Sequence, residues 1–278
     1  SKYYYNQLNG TSKSMYNTII QNIDKLKRGT ESITFELTAN GANREFQSAW
    51  DALLLDRPDI FWIDTSKIIL VTRTTTFIGS VRYKYTLQPQ EGSTYYMSSF
   101  NSEKDVNNAI NEISDVVSQI VQKCNSGDTY QKVKNAHDAI VSRMEYDQTN
   151  SVNNSNIYGA FVEKKAVCEG YAESFKIIMD KLNIPCVIVY GQGVDGSGNT
   201  EAHAWNFVKM DDGVWYAVDC TWDDPIIIGN GWVSPASRYR YFLKGSNSFS
   251  GTHIANGDVS GTGQNFSYPQ LSESDYNR

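Results

Sequence analysis

The chain has 278 residues, of which 40% are hydrophobic, 13% aromatic and 20% charged. This composition is typical of a globular protein with a sizeable core, and it excludes a mostly disordered or collagen-like chain. The net charge is −6, which disfavours nucleic acid as a partner because phosphate binding needs a basic surface. No apolar run approaches the roughly 18 residues that a transmembrane helix needs, and the longest short runs, 68–71 and 225–228, are interpreted as buried segments.

The first hundred residues have a mixed pattern of helices and strands. Apolar residues at three- and four-residue spacing predict helices, and alternating apolar residues predict strands. The predicted elements are helices at 12–28 and 43–55 and strands at 33–37, 67–72 and 80–87. No reactive combination of side chains occurs among them, so residues 1–100 are predicted to form an N-terminal mixed α/β region of unknown role.

Two helical stripes follow, and two polar stretches interrupt the rest of the chain. The stripes predict helices from residue 103 to Gly127 and from 130 to 144. The Asn/Ser-rich segment 147–156 and the Gly/Ser-rich segment 245–263 are predicted to be surface loops.

Cys168 stands at the start of a further helical stripe, which has to end before Pro185. The unpaired N–H groups and the dipole of a helix N-terminus favour the thiolate, which is the nucleophilic form of cysteine. The alternative is an inert buried cysteine, because cysteine is one of the most frequently buried residues.

The segment after Pro185 predicts a strand over 186–190, a glycine-rich turn over 191–198 and then a hairpin. The hairpin strands, 203–210 and 214–222, flank a three-residue loop that places Gly213 in the left-handed conformation. In that register Met210 pairs with Val214, and His203 lies diagonal to Asp219 on one face, within hydrogen-bonding reach. A slip of one residue would put the two side chains on opposite faces.

Cys168, His203 and Asp219 thus supply a thiol at a helix end, a base on one strand and an orienting carboxylate on the next. This combination is the one that acyl transfer through a thiol requires. The alternative is a surface histidine with a solvated aspartate. A metal site built from the same three residues is disfavoured because no fourth ligand is apparent.

The motifs that contain these residues are similar to those of the bacterial branch of the transglutaminase-like superfamily, and the similarity extends over residues 105–276. The matching segments are 158–160, 167–172, 184–191, 203–206 and 215–223, with weaker agreement at His137, Tyr146, Asp147, residues 241–243 and His253. The resemblance implies an α+β, papain-like fold over residues 101–278, in which the helix carrying the cysteine packs on an antiparallel sheet. It also implies a Cys168, His203 and Asp219 triad that acts on an amide or ester carbonyl of a protein or peptide, with no metal or organic cofactor.

Members of the superfamily cross-link glutamine to amines, hydrolyse peptides or remove glycans, and some are inactive. No tryptophan lies between Trp62 and Trp205, so the upstream tryptophan that stabilises the oxyanion in classical transglutaminases has no equivalent. This difference argues against protein cross-linking. The Cys168 backbone N–H is a candidate oxyanion donor, with Tyr158 or a backbone group as the second.

The remaining candidates have mostly structural interpretations. Tyr158, Trp205 and Trp222 are candidate substrate-binding residues; the two tryptophans bracket the triad, and core packing is the simpler role for them. Cys186, Cys220 and His137 are predicted to be buried packing residues, His253 to be exposed in its loop, and all four cysteines to be reduced. Glu169 and Glu201 are either solvated charges or groups that recognise an amine on the substrate.

Two functions are therefore open: a cysteine-dependent amide hydrolase or acyltransferase, and a catalytically inactive binding or cell-surface module. The second would use residues 1–100 as its interaction region. The absence of an initiator methionine, the low lysine and arginine content and the Asn-, Ser- and Tyr-rich sequence suggest a secreted or surface-anchored bacterial protein. The expected partner is a protein or peptide substrate, including one at the cell surface.

Overall fold

Helices and mainly antiparallel strands follow one another along the chain much as the sequence predicts. The computed structural model of the protein describes residues 2–40, 44–224, 235–257 and 263–278. These residues form two units, one containing 2–110 with 263–266 and the other containing 111–257 with 267–278. Of the two apolar runs interpreted as buried, 225–228 lies outside the described residues, and the interpretation of 68–71 is wrong because Ile69 is 38% exposed and its neighbours in the run are only half-buried. Within the described residues, no helix is both long and apolar enough to cross a bilayer.

The N-terminal unit combines short helices with a three-stranded antiparallel sheet in the order β1-β3-β2. Its elements are α1 (Gly10–Gln21), α2 (Ile23–Lys27), β1 (Ile33–Leu37), α3 (Arg44–Asp56), β2 (Ile68–Phe77) and β3 (Ser80–Pro89). The single helix predicted over 12–28 is divided at Asn22, whose side chain donates to the Thr18 carbonyl and whose backbone leaves the helical conformation.

The β2–β3 hairpin is longer than predicted. β-Branched threonines at 72 and 74–76 continue β2 beyond the apolar run, because such residues favour extended backbone. The strands turn at Ile78 and Gly79, which both have positive φ, as a two-residue hairpin loop requires. Phe77 and Ile78 at the tip are 76% and 88% exposed.

The second unit is built around a four-stranded antiparallel sheet in the order β8-β7-β6-β9. Its strands are β4 (Glu145–Tyr146), β5 (Lys165–Ala166), β6 (Cys186–Val194), β7 (Thr200–Lys209), β8 (Trp215–Val218) and β9 (His253–Ile254). Its helices are α5 (Thr129–Arg143), α6 (Cys168–Lys181) and α7 (Ser246–Phe249), and α4 (Glu103–Cys124) spans the boundary between the two units in the sequence.

Helix α6 packs on the sheet, and a buried amide fixes the contact. Asn206 on β7 donates to the Ala172 carbonyl of α6 at 2.9 Å and lies 3.4 Å from the Val187 carbonyl of β6. An unpaired buried amide would cost about 1–3 kcal/mol, so these bonds favour one position of the helix on the sheet. The predicted α+β class, with the cysteine helix on an antiparallel sheet, is confirmed.

The predicted hairpin register is confirmed as well. Asn206 pairs with Val218 and Lys209 with Trp215, and Gly213 has a φ of +79° in the loop. β8 ends at Val218 and not at residue 222, because the Asp219 N–H donates to the Tyr241 carbonyl and the backbone then turns.

The turn predicted to begin at Gly191 is wrong, because β6 continues through Gly191 and Gly193 to Val194. A Cβ on residue 191 would lie 2.0 Å from the Ile254 carbonyl oxygen, and one on residue 193 would lie 2.6 Å from the Trp222 ring. Both glycines therefore allow close approach of neighbouring groups, which is the other reason for glycine within a strand. The segment 245–263, predicted to be a surface loop, contributes α7 and β9.

We expect Gly193→Ala to destabilise the protein by about 1–3 kcal/mol, because the added methyl group overlaps the Trp222 ring. Gly196→Ala is the matched control, since nothing lies within 4 Å of the position that its methyl group would take and its φ is not in the left-handed range. Urea unfolding of both variants measures the difference. Equal stabilities would show that Trp222 is not held against β6.

Candidate functional site

Cys168 is the first residue of α6 and the most accessible of the four cysteines. All four are free; Cys168 is half-buried, whereas Cys124, Cys186 and Cys220 are buried. Burial raises the pKa of the Cys186 and Cys220 thiols, which keeps them protonated and unreactive. Their predicted packing role is confirmed.

The first residue of α6 is positioned by a short parallel pairing of β4 with β5. Tyr146 lies opposite Ala166, and the Asp147 N–H donates to the Ala166 carbonyl at 2.9 Å. The Val167 N–H, immediately before Cys168, donates to the Asn154 carbonyl at 2.8 Å. Backbone hydrogen bonds from the segment 145–154 therefore fix the residues directly before the helix that carries the thiol.

The Asp147 side chain holds this segment together through hydrogen bonds. Its carboxylate accepts hydrogen bonds from the backbone N–H and hydroxyl of both Thr149 and Ser151, and from the Asn154 amide. The segment 147–156 is irregular and exposes residues 148–150, 152 and 155, as a surface loop does, but Asp147, Asn153 and Asn156 are buried. Such a polar segment is buried only when its groups are hydrogen-bonded, and here local side chains supply the partners.

His203 and Asp219 form the hydrogen bond that the hairpin register predicts. His203 Nε2 lies 2.7 Å from Asp219 Oδ2, and the carboxylate is fully buried. Asp219 Oδ1 accepts the Trp222 N–H at 3.1 Å. Burial alone would raise the pKa of Asp219, but its imidazole partners hold the pKa well below the usual range.

The imidazole of His203 is shared between this carboxylate and the thiol. Nε2 bonds to Asp219, and the Cys168 side chain is close enough to influence the imidazole. Burial would lower the pKa of His203, but the Asp219 charge and hydrogen bond, with a further contribution from Cys168, raise it to about 10. His203 therefore carries its proton at neutral pH.

His253 is the residue for which the prediction from sequence is furthest from the structure. The sequence predicts exposure, yet His253 is only 3% exposed, and its Nε2 lies 2.8 Å from the same Asp219 Oδ2 that bonds to His203. Because β9 has only two residues and lies in a Gly/Ser-rich segment, no strand periodicity marks it. The neighbouring apolar residues Phe249 and Ile254 are the available signal.

The three groups His203, Asp219 and His253 also have the residue types of a metal site, with ligand atoms within 4.8 Å of one another. The distances between them are those of hydrogen bonds. Two ligands at about 2.0–2.1 Å from a tetrahedral ion lie more than about 3 Å apart, whereas both imidazole nitrogens lie within 2.8 Å of Asp219 Oδ2. The geometry therefore fits two N–H donors on one carboxylate better than a shared ion.

Cys168 and His203 line a cleft of about 580 Å³. Its other side chains include Tyr146, Glu201, Trp222, Asp224, Arg240 and Tyr241. The Trp222 ring stacks on the His203 imidazole with centroids 4.8 Å apart.

Two of the predicted substrate-binding residues are not among the described residues that line this cleft. Trp205 is buried and packs edge-on against His253, which favours a core role. Tyr158, whose hydroxyl pKa is raised by burial and after it by the charges of Glu112 and Glu163, is likewise not among the described residues that line the cleft.

Tyr146, unlike Tyr158, lines the cleft together with Cys168. Burial, and after it the charges of Cys168, Glu201 and Asp147, raise the pKa of its hydroxyl. The side chain therefore stays protonated beside the thiol and retains a hydrogen that it can donate.

His137 belongs to a second buried His–Asp pair. Its Nε2 lies 2.9 Å from Asp223 Oδ2, and its Nδ1 lies 3.3 Å from Asp138. The predicted role as a satisfied interior histidine is confirmed. Glu201 lines the cleft, whereas Glu169 is not among its described lining residues.

The sequence comparison identifies a related family over part of the second unit. Residues 115–220 match the family model of the transglutaminase-like superfamily. The resemblance noted in the sequence is thereby confirmed, and the matched segment contains Cys168, His203 and Asp219 but ends before His253. Members of the superfamily are often cysteine-dependent enzymes. No curated protein matches the sequence.

Several solved structures are similar to this chain at low identity. One is a crystal structure of a TGase, with 15% identity, a TM-score of 0.36 and coverage of 74% of this chain and 54% of the other. Another is a candidate cysteine protease from Cytophaga hutchinsonii, with 12% identity, a TM-score of 0.32 and coverage of 70% and 73%.

A third is the periplasmic domain of TgpA from Pseudomonas aeruginosa, with 14% identity, a TM-score of 0.31 and coverage of 58% and 67%. This chain spans about half of the length of the first of these structures. The family model matches residues 115–220 of this chain.

Because the pKa of His203 is raised in the folded state, the free energy of unfolding should depend on pH. The folded state retains the His203 proton up to about pH 10, whereas an unfolded histidine loses it near pH 6.5. The stabilisation is thus fully present below about pH 6.5 and is lost as the pH rises toward 10. The stability advantage of wild type over His203→Gln should shrink by a few kcal/mol across this range. Urea unfolding at several pH values measures it, and a constant difference would contradict the coupling.

Proposed function

We propose that this protein is a cysteine-dependent amide hydrolase or acyltransferase that acts through Cys168, His203 and Asp219. The observation that carries the proposal is that Cys168 and His203 line one cleft while His203 is hydrogen-bonded to Asp219 behind it. The thiol lines the cleft and is half-buried, the imidazole is hydrogen-bonded to the carboxylate and influenced by the thiol, and the carboxylate is fully buried. This is the relation of nucleophile, base and orienting group that thiol acyl transfer needs.

In the first step the Cys168 thiolate attacks the substrate carbonyl carbon, forming a C–S bond and a tetrahedral oxyanion. When this intermediate collapses, the bond from carbon to the leaving amine or alcohol breaks. The His203 imidazolium gives its proton to the leaving group, so the charges balance. Because the Asp219 interaction keeps that proton on His203 at neutral pH, the acid for this step is present from the start.

In the second step the thioester is cleaved by water or by an amine. Neutral His203 removes a proton from the attacking group, the C–S bond breaks, and Cys168 returns as the thiolate beside the imidazolium. Water gives net hydrolysis, and an amine gives transamidation. The absence of a tryptophan between Trp62 and Trp205 favours hydrolysis, since cross-linking members of the family use such a residue.

For the oxyanion we propose two donors, the Cys168 backbone N–H and the Tyr146 hydroxyl. Cys168 is the first helical residue, so its N–H is not part of the intrahelical bonding of α6. Tyr146 lines the same cleft, and the β4–β5 pairing holds it near the start of the helix. Tyr158 is a weaker candidate than Tyr146 because it is absent from the described lining.

The charges in the cleft favour a protein or peptide substrate with a basic or amine-bearing group near the scissile bond. Glu201 and Asp224 supply carboxylates, and Arg240 supplies the opposite charge. Burial raises the pKa of Asp224 to about 6, against the hydrogen bond from Tyr171, so this carboxylate is still largely ionised at neutral pH. A secreted or cell-surface location would suit a protein substrate and remains part of this proposal.

The reactivity of the thiol gives the first prediction of the proposed function. At neutral pH iodoacetamide should alkylate Cys168 well before the three buried cysteines, and His203→Ala should slow this reaction about tenfold or more because it removes the imidazolium partner. Peptide mapping by mass spectrometry follows each cysteine separately. Labelling of Cys168 at the same rate in both proteins would support the inactive binding module instead.

The oxyanion assignment predicts that Tyr146→Phe lowers kcat by about 10²-fold with little change in KM, as loss of one such donor does in other enzymes. Tyr158→Phe is the matched control and should leave kcat within about twofold. Alkylation of Cys168 should survive both changes, because neither removes the thiol or its imidazole. Equal losses of kcat in the two variants would contradict the role of Tyr146.

A peptide library incubated with and without a primary amine tests the function itself. Mass spectrometry distinguishes cleaved peptides from peptides that have gained the amine, and Cys168→Ala controls for contaminating activity. We expect cleavage of sequences with a basic residue near the scissile bond. Neither product in the wild type, together with slow alkylation of Cys168, would overturn the proposal.

A further inference from the structure

The strongest feature that the triad chemistry leaves unexplained is the second imidazole on Asp219. The Nε2 atoms of His203 and His253 lie 2.7 and 2.8 Å from the same carboxylate oxygen, Oδ2. The other oxygen, Oδ1, accepts a hydrogen bond from the Trp222 backbone N–H. All three donors come from different segments: β7, β9 and the turn after β8. An ionised carboxylate accepts hydrogen bonds only, so both Nε2 atoms must carry hydrogen in this arrangement.

We propose that His253 is a positioning residue, a neutral imidazole that donates Nε2–H to Asp219 and holds this carboxylate in the orientation that serves His203. The inference rests on the proposed function and names a further residue for it. His253 acts through Asp219 and is not part of the described lining of the cleft.

The surroundings of His253 favour its neutral form. Its ring stacks on Phe249 with centroids 3.8 Å apart and is also packed against Trp222 and Trp205. Burial and the nearby His203 charge lower the pKa of His253, although the Asp219 bond opposes them. With hydrogen on Nε2, its Nδ1 can accept a hydrogen bond from the Thr252 hydroxyl, which lies 2.9 Å away and also lies 3.2 Å from the Phe249 carbonyl oxygen.

Within the described part of the chain, the titratable groups that face His253 are Asp219, His203 and Tyr241. Asp219 comes from the turn after β8, His203 from β7, and Tyr241 from the segment 235–245, with ring centroids 5.4 Å from the imidazole. The guanidinium of Arg240 lies over the Tyr241 ring, 5.5 Å from its centroid. If His253 were charged, two imidazoliums would share one carboxylate. The repulsion between them would lower the pKa of His203, which would then lose its proton more readily.

Two substitutions separate donation from packing. His253→Gln keeps an N–H donor of similar reach but loses the ring, whereas His253→Phe keeps the ring that stacks on Phe249 but loses the donor. We expect the Gln variant to retain kcat and the rate of Cys168 alkylation within about threefold. The Phe variant should lose about tenfold or more in both with little change in KM, since a hydrogen bond to a charged group is removed. A packing role predicts the reverse order.

Nuclear magnetic resonance of protein with ¹⁵N-labelled histidine gives a readout that needs no substrate. The chain has three histidines, so single substitutions assign every signal. At neutral pH we expect His253 to be neutral with hydrogen on Nε2 and His203 to be protonated. The His203 signals and their titration should change in His253→Phe and stay near wild type in His253→Gln.

His137→Gln is the matched control, because it disrupts the other buried His–Asp pair without contacting Asp219. It should lower the melting temperature and leave the His203 signals in place. Unchanged His203 signals in His253→Phe, hydrogen on Nδ1 of His253, or one equivalent of Zn²⁺ bound through His253 would each overturn the proposal. Failure of the proposed function alone would look different: the signals would behave as expected and no peptide would turn over.

Discussion

The site depends on the hydrogen bonds that the buried carboxylate of Asp219 accepts. A fully buried charge is costly unless donors surround it, and here two imidazoles and one backbone N–H supply them. The same bonds hold together β7, β9 and the turn after β8. The electrostatic requirement of one side chain therefore determines how three segments meet, and it also keeps the proton on His203.

The thiol is positioned by a separate set of contacts. Asp147 gathers the polar segment before the cysteine helix, β4 pairs with β5, and Val167 bonds to that segment directly before Cys168. Asn206 then joins the helix to the sheet that carries His203. The two halves of the site are thus each fixed locally and connected by a buried amide, which favours a preorganised relation of thiol and imidazole.

Local signals in the sequence predicted the parts of this arrangement that depend on short-range geometry. The start of α6 followed from its apolar stripe, and the contact of His203 with Asp219 followed from the loop that ends in Gly213. The failures involve contacts between distant segments: β9 brings His253 to β6, and Gly193 makes room for Trp222. A glycine that permits close approach looks the same in a sequence as one that permits a turn.

The central claim is that Cys168 becomes acylated with the help of His203 and Asp219, and trapping that intermediate tests it most directly. The protein would be mixed rapidly with p-nitrophenyl acetate, quenched in acid and mapped by mass spectrometry. The account predicts an acetyl group on Cys168 that forms in a burst, disappears with time, and is strongly reduced in His203→Ala and Asp219→Asn. Acetylation that spares Cys168, or that is equal in all three proteins, would contradict it.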